Sequence, residues 1–327
     1  MTRTSRRRCI FGAFGALAVG LRADRALFAA REAGLVSRRR AGLAFGTTFS
    51  LVALHQDPAV LAAALDESVG AIRRVHHTMS LFDPESAVSR LNRDGFLRRP
   101  DPWLVEALEI CRGISRASAG AFDVTIQPLW RVWAAAANRA ERPSEADIAR
   151  ALDQVDWRGI AADRDAIGLA APGMAITLNG IAQGFACDQV MRILVANGLE
   201  HALIDTGEFG ARGRSGAGRS WRLGIRHPRD FSRYAAIIDP FEGFAATSGD
   251  EELAFTPDRS EHHILDPATG HSPRDLSLIT VRAATGALAD GLSTAIFVAG
   301  PDRANEIAQR FGATVEVQIA KDGARVE

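Results

Sequence analysis

Thr177-Leu178-Asn179-Gly180-Ile181-Ala182-Gln183-Gly184-Phe185 reads as the end of a strand, a turn carrying two glycines, and the start of a helix that runs from Phe185 to Asn197 and stops at Gly198. The residues that follow decide the fold class. Strand-like pieces at His201 to Asp205, Trp221 to Ile225, Ala235 to Ile238 and Leu278 to Val281, with Ala175 to Leu178 ahead of the glycines, are separated by turns and few helices. Two further helices are expected in this half, one through Asp290 and one over Pro301 to Phe311. Strand–turn–strand succession outweighs strict βα alternation, so the chain is α+β, with mixed or antiparallel sheets and flanking helices. No internal repeat, heptad pattern or low-complexity tract competes with that reading.

The first half supplies helices able to cover such a sheet. Ala44-Phe45-Gly46-Thr47-Thr48-Phe49-Ser50-Leu51-Val52 is β-rich and is expected to be a strand. Pro58 opens a long amphipathic helix, with Leu61, Leu65, Val69, Ile72 and Met79 along one stripe. After the loop Asp83-Pro84-Glu85-Ser86, Asp101 and Pro102 form the N-cap and first position of a second helix ending near Ser118. Ser144 and Asp147 resemble a capping box for a third, short helix with Ile148, Leu152 and Val155 inward. A soft boundary between two lobes falls near residue 160, at the turn Ala162 to Asp165.

The 327 residues are 47% hydrophobic, with Lys+Arg and Asp+Glu both at 39, which is the composition of a soluble globular protein with an ample core. Zero net charge argues against nucleic acid as the main partner. The N-terminus differs from the rest. Ser5-Arg6-Arg7-Arg8 precedes the apolar, Gly-rich run Cys9 to Leu21, too short to span a bilayer and laid out like a signal peptide; the plainer alternative is a basic N-terminal arm. Paired arginines before a weakly hydrophobic segment resemble a twin-arginine export signal, although Cys9 stands where Phe is usual and cleavage can only be placed near Ala29 or Ala30. On this reading residues 1–30 are a signal, residues 31–327 the mature protein, and its compartment the periplasm or cell envelope. Cys111 and Cys187 are expected as buried small hydrophobes, and no cysteine has zinc-site spacing.

Several stretches can carry chemistry. Asp290 and Thr294, four residues apart in Ala287-Leu288-Ala289-Asp290-Gly291-Leu292-Ser293-Thr294, lie on one helical face and make half of a Mg²⁺ site; alternatively Asp290 is a cap and Thr294 bonds back one turn. The Gly180/Gly184 junction suits a pyrophosphate or is simply a tight turn, and Gly180 is free to lend its carbonyl to a metal. It is neither a Walker loop nor a dinucleotide fingerprint. Asp205-Thr206-Gly207-Glu208 is placed at a strand end, Thr247-Ser248-Gly249-Asp250 at a turn, and His262 to Gly270 at a strand-to-turn junction. His263 there is an acid–base or phosphate-bonding group, or a histidine satisfied by backbone. Gly120-Ala121-Phe122-Asp123-Val124-Thr125 leads into an expected strand where a flavin or adenine ring can stack and Asp123 accept from it. Phe82 is a stacking platform or a core residue.

Taken in order, Phe45 to Ser50, Met79 to Ser86 with Ser89-Arg90-Leu91-Asn92, Gly120 to Thr125, Leu178 to Phe185, Ala246 to Asp250, His263 to Gly270 and Ala287 to Thr294 resemble the successive blocks of the ApbE family of FAD:protein FMN transferases. The resemblance covers nearly everything from residue 44 to 318. It implies an ApbE-like, T-fold-related α+β fold of two interlocked lobes and a Mg²⁺-dependent transfer of FMN from FAD to a Thr or Ser hydroxyl of an acceptor protein, with release of AMP. The implied acceptor is a flavoprotein subunit of a membrane or periplasmic electron-transfer system; membrane association of this chain is left open. FAD binding alone, or FAD hydrolysis, is the alternative known among relatives. Carried over by position, Gly180, Asp290 and Thr294 hold the metal, and Phe45, Phe82, Ala121, Phe122, Asp123, Thr177, Gln183 and His263 line the FAD site. His263 and Asp290 carry the chemistry. The block usually written Asp-Leu-Gly-Gly-Ile-Ala-Lys-Gly has Thr177 and Gln183 in place of its acid and cation, and Phe45 and Phe82 replace the more frequent Met and Tyr.

Overall fold

The computed structural model describes residues 34–326, so the expected signal peptide lies outside it. The chain opens with strands β1 (Val36–Ala44) and β2 (Thr47–His55), then helices α1 (Pro58–Met79) and α2 (Ala87–Asp94), strand β3 (Phe96–Arg98) and helices α3 (Pro102–Ala117), α4 (Gln127–Ala137) and α5 (Glu145–Leu152). Strands β4 (Ile160–Ala162) and β5 (Ala166–Leu169), helix α6 (Ala182–Ala196) and strands β6 (His201–Asp205), β7 (Phe209–Arg212), β8 (Trp221–His227), β9 (Asp230–Phe241), β10 (Gly243–Gly249) and β11 (Leu276–Ala283) follow. Helices α7 (Gly286–Ala299) and α8 (Ala304–Gln309) and strands β12 (Thr314–Ala320) and β13 (Arg325–Val326) close the chain. Among the described residues no helix is long and apolar enough to cross a membrane.

The framework is an eight-stranded antiparallel sheet in the order β1-β2-β6-β7-β10-β11-β12-β13, which makes the fold α+β as its turn-rich second half suggested. Strand alternation sorts side chains to its two faces. Phe49, Leu51 and Ala53 of β2 and Ala202 and Ile204 of β6 pack with Leu61, Leu65 and Ile72 of α1 and Val190 and Leu194 of α6. Leu54, Leu203 and Leu278 point the other way, onto Trp221, Leu223, Ile225 and Ile238 of the β8–β9 ribbon. The sheet is therefore sandwiched between a helical layer and a two-stranded one.

Local chemistry sets the helices. Asp57 accepts from the amides of Ala59 and Val60 (2.7 and 3.3 Å) ahead of Pro58, and Asp101 accepts from Trp103 (2.9 Å) ahead of Pro102. Ser144 accepts from the Asp147 amide (3.2 Å), starting α5. Cys111 and Cys187 are buried free thiols.

Five expectations need correction. The single strand over Ala44 to Val52 is a hairpin whose two-residue turn, Phe45-Gly46, has φ of 55° and 79°. A turn with both central residues left-handed matches strand twist, but Phe in place of Asn or Gly hides it in the sequence. Its partner β1 carries Arg38 to Arg40, charges that suit a sheet edge. Ala175 to Leu178 joins no sheet: the Asn92 side chain takes the place of a neighbouring strand, accepting from the Ile176 amide (2.6 Å) and donating to its carbonyl (2.8 Å). After Gly120 comes a 3₁₀ turn, Val124–Ile126, because Asp123 caps it through the Thr125 amide (2.8 Å). Thr247 to Gly249 is strand, not turn, with Thr247 and Thr280 hydroxyls paired across strands at 2.8 Å. Pro301 to Phe311 breaks into a 3₁₀ turn at Pro301–Arg303 and the short α8.

Candidate functional site

Helices α6 and α7 begin against each other. A Cβ added to Gly184 would fall onto the Gly286 carbonyl, and one added to Gly286 would fall onto the Gly184 carbonyl, so only glycines permit this approach. Four residues after each glycine comes an aspartate. Asp188 on α6 accepts from the amides of Gly286 (2.5 Å) and Ala287 (2.9 Å) at the start of α7, and Asp290 on α7 accepts from the Gly184 amide (3.0 Å) in the first turn of α6. Each helix thus satisfies orphan donors of the other. Asp290 is not the cap of its own helix; Thr285 is, accepting from Leu288 at 3.2 Å.

The oxygens expected to hold a metal converge here. A Cβ on Gly180 would lie 3.1 Å from the Thr294 hydroxyl, and the Gly180 carbonyl is 3.8 Å from where a Cβ on Gly291 would be. The back-bond expected of Thr294 is made by its neighbour, Ser293, whose hydroxyl donates to the Asp290 carbonyl (2.8 Å). Ser248 of β10 brings its hydroxyl within 2.8 Å of that of Ser293 and 3.3 Å of that of Thr294. No group of three or more His, Cys, Asp or Glu side chains disposed around a metal occurs among the described residues. Carboxylate, hydroxyl and carbonyl form a hard-oxygen set that suits Mg²⁺, which keeps waters or substrate phosphates in its other positions.

The electrostatics support a cation. Asp290 is 5% exposed, and burial pushes its carboxyl up to about 7 despite the Gly184 amide; Glu252 and Asp188 push it the same way. Glu208, also buried, is raised well above the usual range by burial and by the charges of Asp290 and Glu252, although its Oε2 accepts from the Thr247 amide (3.1 Å). Among the described residues the charges that bear on Asp290, Glu252 and Asp188, are negative, a situation a bound cation relieves.

His263 stands across Glu252 from this group, with Nε2 3.9 Å from Glu252 Oε2. Its Nδ1 lies 3.3 Å from the Leu253 carbonyl, which can only accept, so Nδ1 carries the proton and Nε2 is the basic atom of the neutral ring. No hydrogen bond or ion pair joins His263 to Asp290 among the described residues.

The remaining expected residues are spread over several elements. Phe122 sits against Gly180, 3.4 Å from where its Cβ would be, with half-buried Ala121 before it. Asp123 is already engaged, accepting from Thr125 and from the Trp157 amide (3.0 Å), and Thr177 adjoins it by donating its amide to the Val124 carbonyl (2.8 Å). Gln183 packs its amide onto Gly207, whose φ is 99°, while the Thr206 hydroxyl donates to the Gln183 carbonyl (2.9 Å). Phe45 and Phe82 make no hydrogen bond to the oxygens expected to hold a metal among the described residues. Phe45 donates its amide to His76 Nδ1 (3.1 Å) and meets that ring edge-on, and Phe82, in the loop after α1, is 70% exposed.

Sequence reasoning assigned no role to Asp188, Glu208, Ser248 or Glu252. Glu208 and Ser248 fall inside stretches singled out for their polar residues, but the cross-strand contacts that give them meaning span tens of residues. Asp188 had one signal available: a carboxylate on the buried face of a helix needs a partner.

An antiparallel sheet covered by this helix pair defines an α+β fold class seen in solved flavin-transferase structures. The ApbE protein from Thermotoga maritima superposes with a TM-score of 0.79 at 25% identity, covering 89% of this chain and 97% of that one. For the flavin transferase ApbE from Vibrio cholerae the TM-score is 0.77 at 23% identity, over 89% and 96%. The FAD:protein FMN transferase of Haemophilus influenzae is 29% identical over 300 residues, 86% of each chain. Residues 45–319 match the sequence profile of the ApbE family, and the chain belongs to that family.

Proposed function

We propose that this protein is an FAD:protein FMN transferase that uses Mg²⁺, moves FMN from FAD onto a Thr or Ser hydroxyl of an acceptor protein and releases AMP. The observation that carries the reading is the close approach of Gly180 to the Thr294 hydroxyl, one turn along α7 from the Asp290 carboxylate that accepts from the Gly184 amide at the start of α6. Family membership supports the substrate assignment. Mg²⁺ held by Gly180, Asp290 and Thr294 would polarise the pyrophosphate and neutralise charge developing on it. The chain itself positions and deprotonates. The acceptor oxygen bonds to the phosphorus on the riboflavin side, the bond from that phosphorus to the bridging oxygen breaks, and AMP leaves. The hydroxyl proton passes to His263 Nε2, the basic atom left by the Leu253 contact. Phe45, Phe82, Ala121, Phe122, Asp123, Thr177 and Gln183 are assigned to the FAD site.

Residues 1–30 as an export signal, residues 31–327 as the working unit and an acceptor in a membrane or periplasmic electron-transfer system belong to the same proposal. A second reading, FAD binding or hydrolysis without protein transfer, draws on Thr177 and Gln183, neutral where the family more often has an acid and a cation. Incubation with FAD, Mg²⁺ and candidate acceptors, followed by acceptor mass and AMP, separates the readings. An acceptor heavier by one FMN is expected; AMP without adduct favours hydrolysis, and neither product overturns the enzyme.

A further inference from the structure

Asp188 touches none of the oxygens assigned to the metal, yet it lies at the root of the helix that carries two of them. Gly184-Phe185-Ala186-Cys187-Asp188 and Gly286-Ala287-Leu288-Ala289-Asp290 are the same pattern, a glycine at the crossing and an aspartate one turn on. We propose that Asp188 is a positioning residue for Asp290: by gripping the first two amides of α7 it fixes the helix phase that sets the Asp290 carboxylate between the Gly184 amide and the metal position.

The grip is bidentate, Gly286 N donating to Asp188 Oδ1 and Ala287 N to Oδ2, and it is buried, with Asp188 only 4% exposed. It adds to the ordinary cap, which Thr285 already supplies to Leu288, so three consecutive amides of α7 are held, two of them from α6. The return bond from Gly184 to Asp290 closes a ring through both helices. The glycines fix its distance, because a Cβ at Gly184 would sit 2.7 Å from the Cβ of Asp290. In such a ring, a slip of the first turn of α7 moves Asp290 off the Gly184 amide.

The inference rests on the proposed metal site for its function but not for its geometry. The test uses the full chain and two readouts. The first is deuterium exchange of the peptide containing the Gly184 amide, a group Asp188 does not touch; the second is Mn²⁺ binding, followed by the paramagnetic resonance of free Mn²⁺. Asp188→Ala is expected to speed Gly184 exchange at least tenfold and to weaken Mn²⁺ about tenfold, with Asp188→Asn, which keeps one acceptor oxygen, in between. Ile72→Val, a core change in α1, should lower the melting temperature and alter neither readout. Should Asp188→Ala not fold, Asp188→Asn decides alone. Wild-type exchange at Gly184 in either variant overturns the proposal. Absence of Mn²⁺ binding in the wild type would overturn the metal reading, while the exchange result would still judge the clamp.

Discussion

Asp188 and Asp290 occupy equivalent places in α6 and α7, each one turn past a glycine and each reaching across to the other helix, but they differ in what they have left to give. Asp188 commits both oxygens to amides, and burial lifts it only to about 6, with those two amides and then Arg192 pulling it back down. Asp290 accepts one amide, has only acids as charged neighbours among the described residues, and rises to about 7. The first is a complete structural cap. The second is a cap with an oxygen to spare, in a setting that favours a cation. One pattern has yielded a fastener at one helix and, in the proposed function, a metal ligand at the other, and the difference lies in the second hydrogen bond and the sign of the neighbours.

The most damaging way to break the comparison is at the glycines. Gly184→Ala or Gly286→Ala forces a methyl into the facing carbonyl, and a loss of more than about 3 kcal/mol in denaturant unfolding is expected, enough to prevent accumulation of folded protein. Asp290→Ala should separate function from stability: transfer, read as FMN adduct and AMP, falls by about three orders of magnitude, while the melting temperature without metal shifts little because a disfavoured buried charge goes with the lost bond. Thr294→Ala should raise the Mg²⁺ concentration for half-maximal transfer by roughly 10- to 100-fold, with Thr294→Ser close to wild type.

The pH dependence sharpens the contrast further. Both carboxyls titrate higher in the folded protein than at the ordinary 3.8, so the folded state binds more protons across the interval between. Metal-free stability should therefore be highest below about pH 4 as far as these two groups are concerned, and decline as pH rises, through about 6 for Asp188 and about 7 for Asp290. Denaturant melts at pH 5 and 7.5 would show the decline, and Asp290→Asn should remove the portion between 6 and 7. The smallest effect is expected from Ser248→Ala, which takes one hydroxyl from Ser293 and Thr294 and should weaken Mg²⁺ only a few-fold in the same half-saturation measurement.

What could be read in advance follows the range of the interaction. Asp57-Pro58, Asp101-Pro102 and Ser144 with Asp147 start helices where they should, because a cap is made within three residues. The Phe45-Gly46 turn escaped notice although it is just as local, since Phe rarely adopts the left-handed conformation seen there. Ala175 to Leu178 has the composition of a strand, but Asn92 satisfies it from a distant helix, a partner no local pattern discloses. At the site, the spacing of Asp290 and Thr294 pointed to one face of one helix. Gly180 was legible as a glycine free to lend its carbonyl, and the family resemblance joined it to that pair, whereas Asp188, Glu208, Ser248 and Glu252 take their meaning from contacts between distant segments.

The sheet that supports all this also constrains how the protein comes into being. Ser50 of β2 pairs with Asp205 of β6, and among the described residues β1 has no neighbour but β2, so the edge hairpin, which packs locally on α1, joins the rest of the sheet only through a strand about 150 residues on. Pairings so remote in sequence slow the search for the native state, and during that wait the strand edges stay open to other chains. The helix crossing, whose two glycines are themselves about a hundred residues apart, belongs to the same long-range search, so a slow refolding phase should be shared by the sheet and by the recovery of the site.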